Sequence, residues 1–213
     1  MKNSFFNPNK IEISDNLILI PFFPDGKVLK FVEESAVRQR KILSSYLFSY
    51  PDYDVLYGFL GYSNLLTIIE FIQNVRKKNV FFLGTAGSLK KTGNYPELLS
   101  VSEIYPEGIF KYFTNEESLS LTKIDSAFVK NVTGISIDII QRENSEWYEN
   151  VKSHNFGIVE MEIFPLRWYL GVEFTAFVVT SDIVSDSGIL YFNRKSVKEK
   201  MFQGYKKILE MIK

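Results

Sequence analysis

Two acidic clusters close apolar runs in the second half of the chain. Glu160-Met161-Glu162 follows Gly157-Ile158-Val159, and Ser181-Asp182 follows Phe177-Val178-Val179. A third stretch, Gly84-Thr85-Ala86-Gly87-Ser88, follows Val80-Phe81-Phe82-Leu83, and its small residues let a ligand approach the backbone. Carboxylates that terminate buried strands lie where open α/β sheets bind ligands, at the carboxyl edge. Each feature also has a plain structural reading. Glu160 and Glu162 suit a solvated helix entry favoured by the helix dipole, and Ser181-Asp182 suits a helix cap.

Composition narrows the chemistry. The chain has no cysteine, which removes disulfides, thiolate catalysis and Cys-type zinc sites together. Its single histidine, His154, leaves no His cluster for a metal. With 25 basic and 25 acidic residues the formal charge is zero, and no global field points to nucleic acid or an anionic membrane. A phosphate-bearing ligand stays open, since one local arginine could hold it. The apolar runs fall short of the ~20 residues that span a bilayer. Residues 1 to 16 are polar and broken by Pro8, so they do not read as a signal segment, and the expected compartment is the cytoplasm.

The elements that position these residues follow from patterning. At 213 residues and 46% hydrophobic, residues 1–213 are expected to form one domain, with residues 1–16 a poorly ordered N-terminal extension. Leu17-Ile18-Leu19-Ile20 reads as a strand buried on both faces, followed by a loop over Phe22-Phe23-Pro24-Asp25-Gly26. Residues 28–43 are ambiguous between helix and solvated face. Tyr53 to Gly61 reads as a strand, and Ser63 can cap a helix that runs to Arg76-Lys77-Lys78. Val80 to Leu83 is a second buried strand, which completes a βαβ unit. Residues 91–131 read as short strands and loops, 131–140 as an alternating strand, and 144–153 as a helix with Trp147 and Val151 inward. Pro165 suits a helix's first turn, Gly171 its end, and Asn193 caps a terminal amphipathic helix carrying Val197, Met201, Tyr205, Ile208 and Ile212. The expected fold class is α/β: a three-layer α/β/α domain around a mixed, largely parallel sheet. His154 reads as an exposed loop residue. Arg167, Trp168 and Tyr169 read as packing the short helix or a subunit interface.

In order and spacing, Gly84-Thr85-Ala86-Gly87, Val159-Glu160-Met161-Glu162 and Val179-Thr180-Ser181-Asp182 resemble the nucleoside phosphorylase/nucleosidase superfamily, purine nucleoside phosphorylase and uridine phosphorylase type. Within it the chain looks most like methylthioadenosine/S-adenosylhomocysteine nucleosidases and futalosine hydrolases. The resemblance spans roughly residues 17–212. It implies a nucleoside phosphorylase-like fold, cytoplasmic nucleoside metabolism, and a homo-oligomer, dimer or hexamer, with no metal or organic cofactor. It implies that Glu162 accepts hydrogen bonds from the ribose 2′- and 3′-hydroxyls while Asp182 donates a proton to the departing purine. Thr85, Ala86 and Gly87 would contact base and sugar through backbone groups, Met161 would lie against the sugar, and Glu160, Ser181 and Ile139 would line the substrate. For Glu160 the structural and the ligand-contacting readings stay equally open.

The sequence also departs from that pattern. Nucleosidases carry a water-activating glutamate after the first strand; the matching position falls near Gly26, with Asp25, Glu33 and Glu34 as stand-ins. Hexameric phosphorylases hold phosphate with an arginine just before the glycine-rich turn, where this chain has Phe82. Tyr62-Ser63 and Phe164-Pro165-Leu166 stand where small residues are usual. The expected activity is therefore hydrolysis of a purine-type nucleoside. A phosphate-dependent phosphorylase and a catalytically impaired nucleoside-binding homologue are the alternatives.

Overall fold

The protein was analysed as a computed structural model, which describes residues 10–21, 27–59, 61–90, 95–125, 129–138 and 145–213. Strand β1 (Asn16–Pro21) is apolar at every interior position because both of its faces are covered. Leu17 and Leu19 pack on one side against helices α2 (Gly61–Ile69) and α4 (Ile163–Leu170), where Leu65, Ile68, Phe164 and Leu166 lie. Ile18 and Ile20 pack on the other side against α1 (Lys27–Ser35) and α5 (Arg194–Ile212), through Val28, Val32, Val197, Met201 and Tyr205. One strand thus shows the three-layer α/β/α arrangement.

β1 runs parallel to β4 (Tyr53–Phe59) and to β5 (Asn79–Ser88), and β5 runs parallel to β10 (Thr175–Ser185). Beyond this parallel heart the sheet is mixed. β2 (Arg38–Ile42) and β3 (Ser45–Ser49) add an antiparallel edge to β4. On the other side the sheet closes on itself. β5 pairs with β10, β10 with β6 (Leu98–Pro106), β6 with β8 (Lys130–Ser136), β8 with β9 (Ile158–Glu160), and β9 with β5. Short strands β7 (Leu119–Ser120) and β11 (Gly188–Tyr191) flank β6 and β10. Helix α3 (Ser145–Val151) lays Tyr148 and Val151 on the closed part, with Trp147 partly buried beside them.

Several elements differ from expectation for identifiable reasons. Residues 28–43 split into α1 and β2; charged Arg38, Arg40 and Lys41 are tolerated because β2 is an edge strand. Helix α2 starts at Gly61 and ends at Ile69, so Ser63 lies inside its first turn. Asn74 turns the chain with φ 53°, and the basic residues belong to a separate 3-10 turn, Val75–Lys77. The glycine-rich turn read at Gly84–Gly87 instead belongs to the second half of β5, and β10 likewise continues through Asp182 to Ser185. β8 ends at Ser136 rather than continuing to 140. At the N-terminus, Ile11 bridges to Ile72, and the Ser14 N–H and hydroxyl donate to Asp54 Oδ2 at 2.7 and 2.8 Å. Residues 10–15 are therefore held in place. Helix α5 begins as read, with the Asn193 side chain accepting from the Lys195 N–H, and Gly171 ends α4 at φ 69°. Among the described residues no helix is long and apolar enough to cross a membrane.

Candidate active site

One row of paired residues crosses the closed part of the sheet. Tyr105 pairs with Ile135, Ile135 with Val159, Val159 with Gly87, Gly87 with Asp182, and Asp182 with Tyr191. Residues paired directly across neighbouring strands point to the same face. That face is apolar: Ile135, Ile137, Val159 and Val184 form a buried cluster there with Tyr148, Val151 and Phe156, and Met161 and Ile189 pack against it. Asp182 is the one acidic member of the row. At Gly87 the row has a gap, because a Cβ there would lie 2.8 Å from Val184 Cγ2, 2.9 Å from Asp182 Oδ2 and 3.0 Å from Val159 Cγ1. Glycine is required for the carboxylate to lie over the strand.

Asp182 reaches this face through a β-bulge. The register steps from Thr180–Ala86 to Asp182–Gly87, which leaves Ser181 as the extra residue. Thr180 follows Ala176 and Val178 on the core side; two residues on, Asp182 would face the same way in a regular strand. The bulge turns it to the opposite face. The Ser181 hydroxyl, 2.5 Å from Asp182 Oδ1 and 3.4 Å from the Ala86 carbonyl, fixes the carboxylate's orientation. Burial pushes the Asp182 carboxyl above its ordinary value, and the Ser181 hydrogen bond pulls it partly back.

The β9–α4 corner is built differently. Glu160 is 4% exposed. Its Oε2 accepts the backbone N–H groups of Glu162 and Ile163, both at 2.6 Å, and its Oε1 accepts the Ser136 hydroxyl. Ser136 Oγ in turn accepts the Phe164 N–H at 3.1 Å. Three of the N–H groups that open helix α4 are thereby satisfied by two side chains. Ser136 and Glu160 are cross-strand partners one step along from Ile135 and Val159, so they face the opposite side from Asp182. Burial and the adjacent Glu162 carboxylate raise Glu160, against the pull of its N–H donors.

Glu162 stands at the start of α4, partly buried, with φ −117° and ψ −29°. Burial pushes its carboxyl up to about 7, while the backbone N–H groups of Met161 and Gly61 pull it down. It sits where several strand ends meet. β4 leads into Gly61, β8 ends beside Glu160 with the Ile137 N–H donating to the Glu160 carbonyl at 2.9 Å, and β1 ends at Pro21 against Gly84. This is the carboxyl edge expected from the sequence.

The remaining sequence-derived residues sort clearly. Gly87 and Met161 share the Asp182 face; Ala86 turns its methyl to the core, and Thr85 lies in β5 paired with Val179. Ile139 and the loop 22–26, including Asp25 and Gly26, lie outside the described residues. Glu33 and Glu34 are exposed in the last turn of α1, where Glu34 pairs with Lys30 at 3.6 Å. Phe82 is 1% exposed in the apolar core. Phe164, Pro165 and Leu166 are also buried there, so they shape the core rather than the site. Arg167 donates through Nε to the Ser120 carbonyl at 2.8 Å, Trp168 lies 5.0 Å from Phe113, and Arg76 sits 5.3 Å above the Tyr169 ring. His154 is exposed and stacks on Phe156. Ser136, which sequence reasoning missed, was visible only as one polar position in an alternating strand. Among the described residues no group of three or more His, Cys, Asp or Glu side chains is placed to hold a metal. A cavity of about 650 Å³ at the far end of the row is lined by Tyr105, Ile135, Trp147 and Phe156 among others, and by neither Asp182 nor Glu162.

The sequence matches no family model and no curated protein. Solved structures do match. The 5'-methylthioadenosine/S-adenosyl homocysteine nucleosidase of Campylobacter jejuni superposes with a TM-score of 0.68 at 15% identity, covering 93% of this chain and 98% of that one. A futalosine hydrolase mutant of Helicobacter pylori gives 0.66 at 15% identity over 93% and 98%. The S-adenosylhomocysteine nucleosidase of Streptococcus pyogenes, in complex with 5-methylthiotubericidin, gives 0.64 at 11% identity over 93% and 95%. The class of structure is thus the α/β fold that these solved nucleosidases and the hydrolase share. More particularly, the chain has the fold of the methylthioadenosine/S-adenosylhomocysteine nucleosidases and futalosine hydrolase.

Proposed function

We propose that the protein is a purine-type nucleoside N-ribosyl hydrolase in which Asp182 protonates the leaving base and Glu162 holds the ribose hydroxyls. The observation that carries this reading is the Asp182 carboxyl over the Gly87 gap. It lies on an apolar face, its acidity is weakened by burial, and one oxygen is oriented by Ser181. Cleavage of an N-glycosidic bond leaves electron density on the base and oxocarbenium character on the ribose. A carboxyl whose hold on its proton is strengthened by burial is suited to supply the proton the base needs. The Glu162 carboxylate accepts hydroxyl hydrogen bonds and, when ionised, opposes the developing positive charge. Met161, on the Asp182 face and next to Glu162 in sequence, would rest against the sugar.

In this reading Glu160 positions Glu162 rather than touching substrate, because both of its oxygens are engaged by the protein. Hydrolysis is favoured over phosphorolysis because the place of the phosphate-binding arginine is taken by Phe82 in the apolar core. The nucleophile is then water, and the partner is a nucleoside. Release of free base from methylthioadenosine, adenosine, inosine and futalosine, assayed with and without phosphate, tests the proposal. Turnover that needs phosphate would replace hydrolysis by phosphorolysis. Binding of nucleoside without turnover would leave a recognition protein.

A further inference from the structure

The row that carries Asp182 ends in an aromatic residue that neither the sequence pattern nor the resemblance singles out. Tyr191 pairs directly with Asp182 across the β10–β11 hairpin and is 69% exposed. Its orientation is fixed by its neighbours. Ile189, two residues earlier on β11, pairs with Val184 and packs into the same apolar cluster, so Tyr191 stands on the same face. The hairpin holds this register firmly. Only Asp186 and Ser187 separate the two strands, Gly188 takes φ 110°, and Ser185 Oγ donates to the Gly188 carbonyl at 3.1 Å. Past the pair, the Phe192 N–H donates to the Ser181 carbonyl at 2.9 Å, which continues the pairing on the other side. Cross-strand partners stand ~5 Å apart at Cβ, within reach of a ring laid beside the carboxyl.

We propose that Tyr191 is the side chain against which the planar leaving base is held beside Asp182, and that it determines specificity for an aromatic leaving group. The inference rests on the reading of Asp182 as the group that meets the base. A flat base protonated at Asp182 has one face toward the Val159–Val184 floor and needs cover on the solvent side. Tyr191, exposed, one strand away and on the same sheet face, is the aromatic residue placed to supply it. Stacking on an aromatic ring is sequence-tolerant and worth ~1–3 kcal/mol per base. Its removal is therefore expected to cost about tenfold or more in affinity.

The test is calorimetric titration of free adenine and hypoxanthine into the full-length protein and its Tyr191→Phe and Tyr191→Ala variants. KM and kcat for adenosine are measured alongside. Because Tyr191 is largely exposed, both variants are expected to melt within a few degrees of the parent. The expected result is that Tyr191→Phe binds like the parent. Tyr191→Ala is expected to lose about tenfold or more in base affinity, with a matching rise in KM. Tyr191→Ala binding within twofold of the parent would overturn the inference and leave the proposed function standing. A parent protein that binds no purine base and turns over no nucleoside would overturn the proposed function, and this inference with it.

Discussion

Glu160 and Asp182 are both acidic, both raised by burial, and both placed by the closed part of the sheet, yet they stand in opposite situations. Glu160 has no oxygen left over: Ser136 and the first N–H groups of α4 take both. Asp182 has one oxygen held by Ser181, and the other lies over a strand stripped of its side chain at Gly87. The raised acidity is common to both, so it does not separate a structural carboxyl from a reactive one. What separates them is whether the protein has already used the lone pairs. At α4 they secure a helix start, and at the β10 bulge Ser181 holds Asp182 Oδ1 while no hydrogen bond from a described residue engages Oδ2.

Breaking the comparison at Asp182, the carboxyl proposed to protonate the base, should give the largest effect. Asp182→Asn keeps the shape and removes the donated proton, so base release is expected to fall by ~10²–10⁴-fold. Denaturant midpoints should stay close to the parent's. Base release undiminished in Asp182→Asn would reduce Asp182 to a bulge residue. At the other end, Glu160→Ala leaves the Glu162 and Ile163 N–H groups without their acceptor, at a cost of about 1–3 kcal/mol in urea unfolding. Its effect on turnover should follow through Glu162 and appear as a raised KM. A stable Glu160→Ala protein that had lost kcat would mean that Glu160 meets substrate, and the contrast would fail.

The pH dependence sharpens the same comparison. Glu162 has its carboxyl raised from 4.5 to about 7, so the folded state binds more protons than the unfolded chain between those values. Stability from this group is therefore complete below about 4.5 and is lost as pH rises toward about 7. Because Glu162 keeps some solvent contact, the loss is expected to be on the order of 1–2 kcal/mol rather than the full shift. Glu160, raised in the same direction, adds to it. Urea melts at pH 4.5, 6 and 8 should fall in that order for the parent and flatten in Glu162→Gln. A parent stability that rises across that range would show that these carboxyls are not strained by burial.

The parts of this arrangement that the sequence makes legible are those set by local patterning. Leu17 to Ile20 announces a strand covered on both faces, Asn193 announces the start of α5, and Gly171 the end of α4. The two acidic clusters appear by residue type and spacing alone. Long-range pairing is not visible in that way. Gly84 to Gly87 reads as a turn because small residues have little strand propensity, yet β10 and β9 pair with this part of β5 and keep it extended. The same pairing carries β10 past Asp182. Edge position lets Arg38 to Ile42 form a strand against its charge. Which face Asp182 takes depends on one inserted residue, and no periodicity in the sequence marks the bulge. Glu160 was evenly balanced between two roles because its role depends on partners 24 residues away at Ser136 and across the turn into α4.

The smallest expected effect tests the bulge itself. Ser181 donates to Asp182 and so pulls its acidity back toward the ordinary value. In Ser181→Ala that pull is gone and the Asp182 carboxyl rises further. A general acid works while protonated, so the rate should fall off at higher pH in the variant than in the parent, with little change in the plateau. Stability shifts in step. The added rise extends the pH range over which the folded state holds the extra proton, so loss of stability with rising pH also reaches further. A pH–rate profile of base release for parent and variant reads this directly. If the alkaline limb moves down instead, Ser181 is not the donor to the working carboxyl, and the orientation assigned to Asp182 at the bulge is wrong.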